Sequence, residues 1–160
     1  MKRVIASVIL LCMICCMLPA TVEAAYGADP ILISRTIEYL EDGSSVEISV
    51  YEEPATTRAS DYMKSGSKIY RARNIYGDVM YTLTVKGVFS VDEGVAATCT
   101  SASYSTSIIE SAWSCTAAYA TKSGNCAIAN GTFKLIRSGI TEEIDYPQVV
   151  LSCDDLGNLS

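Results

Sequence analysis

Seven cysteines are the most reactive side chains in the chain, and three of them, Cys12, Cys15 and Cys16, fall within its first 24 residues. The other four are Cys99, Cys115, Cys126 and Cys153. An even set of four in an exported chain reads as two disulfides rather than as free nucleophiles. Four cysteines allow three pairings, and spacing alone does not choose among them. Cys12-Met13-Ile14-Cys15 has redox spacing, but it sits inside an apolar segment and not beside a βαβ pattern. Histidine is absent from the sequence, which excludes Ser-His-Asp and Cys-His arrangements and removes the commonest zinc ligand. A serine with lysine as base is left at Ser65, Ser67 and Lys68, where a loop enters a strand. Nothing else marks a site there, and an exposed loop is the plainer reading.

Carboxylates and aromatic rings supply the remaining chemistry. Glu142, Glu143 and Asp145 lie together, as do Asp92 with Glu93 and Asp154 with Asp155, each group near a turn. Two carboxyls set across a cleft would suit glycoside hydrolysis, but adjacent residues in a strand point to opposite faces. The stretch Asp154-Asp155-Leu156-Gly157-Asn158 offers oxygen donors for a weak calcium site, yet it lacks the spacing and closing glutamate of an EF-hand loop. No metal or cofactor is therefore expected. Ten tyrosines and one tryptophan offer rings on which a carbohydrate or protein surface can stack. Trp113 is expected in the core, with Tyr62, Tyr70, Tyr76 and Tyr104 better placed for exposure.

The elements that must position these groups begin with a segment that is removed. Lys2 and Arg3 precede an apolar run from Val4 to Leu18, followed by small residues around Val22-Glu23-Ala24, which is the pattern of a secretory signal peptide over residues 1–24. The run is short for a membrane span, so no stable span is expected after cleavage. None of its cysteines follows a small residue, which argues against a lipid anchor. Removal takes two of the 12 basic and one of the 18 acidic residues, leaving 10 against 17, a net charge of −7. That balance makes nucleic acid or an anionic membrane an unsuitable partner.

Beyond the signal, apolar residues recur at every second position. The odd residues from Val79 to Val91 are apolar or glycine, and the even ones between them are mostly polar, which predicts a strand with one face in a core. Ile31, Ile33, Ile37 and Tyr39 share one parity. Val46, Ile48 and Val50 share another beyond Asp42-Gly43, a pair suited to the positive φ of a tight turn. The first unit is thus a hairpin within residues 25–53, packed on the rest or extending one of its sheets. Residues 54–64 lack any period and read as a linker. Six further strands are expected at 68–74, 78–90, 95–104, 112–121, 125–137 and 143–153, separated by turn residues. No stretch keeps a helical period for three turns. The fold class is all-β: an antiparallel β-sandwich over residues 65–160, immunoglobulin-like in general architecture, with an N-terminal β-hairpin.

Within that frame, Cys99 and Cys153 fall on core-facing parities, and bridging them would tie the last strand to the middle of a sheet. The closed loop of more than fifty residues would be worth about 4 kcal/mol in the chain-entropy picture. Cys115 would then pair with Cys126, although a turn centred on Ser123 sets Tyr119 opposite Cys126, so the bridge needs a bulge or a displaced turn. Charge is uneven as well. The hairpin is acidic, with Glu47, Glu52 and Glu53 among its residues, while Arg58, Lys64, Lys68, Arg71 and Arg73 follow it. Docking of the two segments is the expected result, and an acidic partner for the basic strand is the sharper alternative.

The runs Ser65-Gly66-Ser67-Lys68-Ile69-Tyr70, Tyr81-Thr82-Leu83-Thr84-Val85-Lys86-Gly87-Val88-Phe89-Ser90 and Ala97-Thr98-Cys99-Thr100-Ser101-Ala102 carry a resemblance. With Trp113, Lys122-Ser123-Gly124-Asn125, the ending Leu151-Ser152-Cys153-Asp154 and the hairpin Tyr39 to Ser44, they resemble a group of small secreted β-sandwich-type proteins of Gram-positive bacteria that carry no assigned function. The resemblance implies export, an all-β fold and the bridge from Cys99 to Cys153, and it implies no activity. The second cysteine pair departs from that group's usual pattern. The expected function is a secreted, non-enzymatic binding module for an extracellular glycan or protein. The alternative is a disulfide-stabilised structural or protease-inhibitor-like protein. An enzyme ranks third, since no constellation specifies a reaction.

Overall fold

Strict alternation of apolar and polar residues has the outcome expected of it: in a computed structural model of the chain, residues 79–92 form a strand whose odd members Tyr81, Leu83, Val85, Phe89 and Val91 are wholly buried. The structure describes residues 29–54 and 61–160. The expected signal peptide, residues 1–24, and most of the expected linker lie outside the described residues. Those described form nine strands: β1 (Ile31–Tyr39), β2 (Ser45–Glu53), β3 (Asp61–Arg73), β4 (Val79–Asp92), β5 (Ala96–Ile108), β6 (Trp113–Ser123), β7 (Cys126–Arg137), β8 (Ile140–Asp145) and β9 (Gln148–Ser152). No helix occurs among them.

Two antiparallel sheets result. The first is a five-stranded meander in the order β1-β2-β3-β4-β5, and the second sets β6, β7 and β8 side by side with β9 also on β7. They pack face to face, with β7 and β9 lying over β4. From β4 come the five buried residues just named, and from β7 come Ala127, Ala129, Phe133 and Leu135. Val149 and Leu151 of β9 complete the layer. Each large side chain so buried stabilises the fold by about 1.5–3 kcal/mol. Trp113 is buried as expected, its ring centre 4.9 Å from that of Tyr81, and Tyr81 stacks on Phe133 at 4.0 Å.

The hairpin extends the first sheet. β2 pairs with β3 along nine residues, from Ser45 opposite Arg73 to Glu53 opposite Ser65. The turn closes as Asp42-Gly43 suggests, with Gly43 at φ +85° and its N–H donating to the Leu40 carbonyl. β1 forms the sheet's outer edge and is exposed along its whole length. The acidic hairpin does meet the basic strand: Glu47 bonds Arg71 and Arg73, and Glu52 pairs with Lys64.

Three details differ from the expectations. β3 starts at Asp61, within the stretch read as a linker. The strand expected at 143–153 is two strands, because Pro147 has no N–H to give a ladder. β8 pairs with the Phe133–Arg137 half of β7 and β9 with the Cys126–Asn130 half. The third concerns the thiols. Cys99, Cys115, Cys126 and Cys153 are all unbridged. Cys115 lies opposite Phe133, whereas Cys126 lies opposite Ser123 at the far end of the same two strands. The intervening register also puts Cys115 on the core side, packed against buried residues, and Cys126 on the parity of half-exposed Ile128. The expected pairing of Cys115 with Cys126 is therefore incompatible with this ladder. Cys99 and Cys153 are both buried in the core, unpaired.

Candidate functional site

The break at Tyr146-Pro147 decides where the molecule has a cleft. β8, on the edge of the second sheet, lies at one end of the sandwich, facing the β1–β2 turn and the junction of β3 with β4. Two adjoining hollows lie there, of about 260 Å³ and about 410 Å³, and share Asp42, Ser44, Met80 and Glu143. Tyr70, Asp145 and Tyr146 line the first, while Trp113 and Arg137 line the second. Charged and aromatic residues converge here from strands far apart in sequence.

Of the acidic trio 142, 143 and 145, alternation along β8 separates the members. Glu143 and Asp145 stand opposite Leu135 and Phe133, on the core-facing side. Glu142 points the other way, 3.5 Å from Arg137. Side chains two apart on a strand stand about 7 Å apart, so Glu143 and Asp145 form one acidic wall. Partial burial raises the Glu143 carboxyl above its ordinary range, and the charges of Asp145 and Asp42 push it the same way. Asp145 accepts a 2.6 Å hydrogen bond from Tyr81 Oη. Burial, then Asp145, lifts the Tyr81 hydroxyl far above its usual range, which keeps it a donor. Beneath the wall the rings of Tyr70 and Tyr81 are stacked 6.3 Å apart. At its rim stands Tyr146, 72% exposed.

Asp42 is held in place by its own turn. It accepts from the Ser44 amide at 2.9 Å and the Ser44 hydroxyl at 2.6 Å, and these bonds lower its carboxyl below the ordinary range. Sequence reasoning assigned Asp42 only to a turn and did not single out Tyr146. The proline after Tyr146 was the available signal for the cleft. The turn-borne carboxylate had none.

The other acidic groups are not assembled into a site. Asp154 organises the C-terminal turn, accepting from the amides of Leu156 at 3.0 Å and Asn158 at 2.7 Å and from the Asn158 side chain at 2.8 Å. Asp92 and Glu93 are exposed at a turn. Among the described residues no group of three histidine, cysteine, aspartate or glutamate side chains is placed to hold a metal ion. Ser67 and Lys68 are neighbours on β3 and so project to opposite faces, which separates that base from that hydroxyl. Tyr76 and Tyr104 are exposed as expected, whereas Tyr62 and Tyr70 are half-buried against the core.

A second polar cluster lies on the outer face of the five-stranded sheet. Glu47, 4% exposed, accepts from Arg35 Nη2 at 2.7 Å and Arg73 Nη2 at 2.7 Å on one oxygen. Its other oxygen accepts from Arg71 Nη1 at 3.1 Å and Ser49 Oγ at 3.3 Å. Burial disfavours the charge, but Arg35 and Arg73 overcome it and hold the carboxyl at about 2. The chain matches no protein-family model, no curated protein and no solved structure, so its own side chains are what speak for its function.

Proposed function

We propose that the protein is a secreted, non-enzymatic binding module whose ligand is an extracellular glycan, bound in the cleft between β8 and the β1–β2 turn. The reading includes cleavage of the signal segment 1–24, kinship with the small secreted proteins of Gram-positive bacteria that the chain resembles, and a sandwich immunoglobulin-like in general architecture. The observation that carries it is the pairing of the Glu143 and Asp145 wall with the exposed ring of Tyr146. Carboxylate oxygens accept the paired hydroxyls of a sugar, and a ring stacks on its C–H face. Both carboxyls belong to one wall and do not face each other across the hollow, and Asp145 is already engaged by Tyr81. This supports binding over hydrolysis, which needs an acid and a base or nucleophile flanking the bond.

The test is titration calorimetry of neutral oligosaccharides selected on a glycan array, against Glu143→Gln and Tyr146→Ala. Each substitution is expected to weaken binding by about tenfold or more. Silence across neutral glycans at high micromolar protein, together with a signal on a protein array, would replace a glycan with a protein partner. Slowed turnover of a small substrate by a protease would favour the inhibitor-like alternative.

A further inference from the structure

Glu47 has more cationic partners than one carboxylate can neutralise. Arg35, Arg71 and Arg73 all bond it, so the cluster holds two positive charges in excess on a chain whose formal net charge is −6. A structural ion pair would need one arginine. Here two guanidinium nitrogens stand 2.7 Å from the same oxygen, which holds like charges close together. An added anion would relieve their repulsion.

The three arginines do not use their donors equally. Arg73 bonds Glu47 through Nε and Nη2 and the Gly77 carbonyl through Nη1. Arg71 uses Nη1 alone, on Glu47 and Ser49. Arg35 uses Nη2 alone, and its side chain is 52% exposed. Arg35 and Arg71 thus present unused N–H groups from side chains already fixed in position by Glu47. Guanidinium forks of this kind match the oxygens of sulfate and carboxylate.

The register carries the polar surface beyond the arginines. Arg71 lies opposite Thr82, which lies opposite Ser107, and the next row brings Thr84 opposite Ser105. Ser101, Ser103, Ser105 and Ser107 are all exposed on that face, at alternate positions of β5. Hydroxyls about 7 Å apart along a strand form a flat row suited to an extended sugar chain.

We propose that the outer face of the five-stranded sheet binds an anionic polysaccharide, its acidic groups on Arg35 and Arg71 and its chain along the hydroxyl row of β4 and β5. The site adjoins the cleft through Arg73, which lines the smaller hollow, but takes its ligand on Arg35 and Arg71, and neutral-glycan binding is read separately through Glu143→Gln. The experiment measures retention and affinity of the full chain on dextran sulfate, polygalacturonate and neutral dextran at rising salt. Binding to a charged polymer that weakens with salt, with neutral dextran inert, is the expected result, and comparing the first two polymers tells sulfate from carboxylate. Arg35→Gln should weaken binding at least tenfold and Arg35→Lys less. Ser105→Glu, an exposed change that leaves the Glu47 cluster intact, should abolish it. Failure to bind either charged polymer, equal binding to neutral dextran, or unchanged affinity in folded Arg35→Gln and Ser105→Glu would each overturn the proposal.

Discussion

A buried carboxylate under three arginines is the most strongly depressed acid among the described residues. Glu47 has its carboxyl depressed to about 2 in the fold, against an ordinary glutamate value in the unfolded chain. Its contribution is therefore complete at neutral pH and is lost as pH falls from the ordinary glutamate range through 2. Allowing for the solvent that reaches the arginines, about 2 kcal/mol is at stake. Melting temperature measured from pH 7 to pH 2 should fall most steeply below pH 4.5, a value typical of glutamate, and Glu47→Gln should be less stable at neutral pH and lack that step. An equally steep step in Glu47→Gln would assign the acid sensitivity elsewhere. Tyr81→Phe probes the other buried polar contact. Loss of the hydrogen bond to Asp145 should cost about 1.5 kcal/mol in urea denaturation, and no change in the midpoint would show that the bond contributes nothing net.

At the scale of elements, the hairpin and the C-terminus are held by close backbone approaches. Gly66 of β3 lies where a Cβ would stand 2.7 Å from the Tyr51 carbonyl oxygen and against the Leu159 side chain. Leu159 is 6% exposed and bridges back to Cys153. Gly66→Ala must displace either β2 or the terminal turn. A loss of about 1–3 kcal/mol is expected, with amide exchange quickening first in residues 153–160; protection as in the parent would place the adjustment on β2 instead. The hairpin's polarity was legible from Asp42-Gly43 and the parity of 46, 48 and 50. Its role as two added strands was one of two alternatives the sequence left open, since pairing with β3 depends on hydrogen bonds between segments distant in the chain. The division of the last strand did have a local signal in Pro147, but that both halves pair with β7 depends on tertiary register.

Across the whole molecule, the four cysteines of the described residues are unbridged and differ in burial. Cys115 and Cys126 are half-exposed, while Cys99 and Cys153 are buried. Burial first, then Asp154, pushes the Cys153 thiol up to about 11, and burial likewise raises Cys99. Folded protein lacking residues 1–24, treated with iodoacetamide, should therefore gain two adducts quickly, and four in urea, as read by intact mass. No adducts, with a mass four hydrogens below the reduced form, would mean two bridges, and a Cys115–Cys126 bridge among them would require a different register between β6 and β7.

Much of this was determined by the sequence alone. Alternation of apolar residues dictated an all-β chain, because a period of two can bury only one face of a strand. Asp42-Gly43 set the first turn through the conformations its residues tolerate, and the absence of histidine removed whole classes of chemistry. Trp113 was correctly read as core. These are local properties, or counts. The tertiary structure alone decided that Glu143 and Asp145 share a wall with Asp42 and Tyr146, that one glutamate gathers three arginines, and that Cys115 and Cys126 stand at opposite ends of a ladder. Each depends on the register and packing of strands distant in the chain, and many registers satisfy the same local pattern until two sheets close on one core.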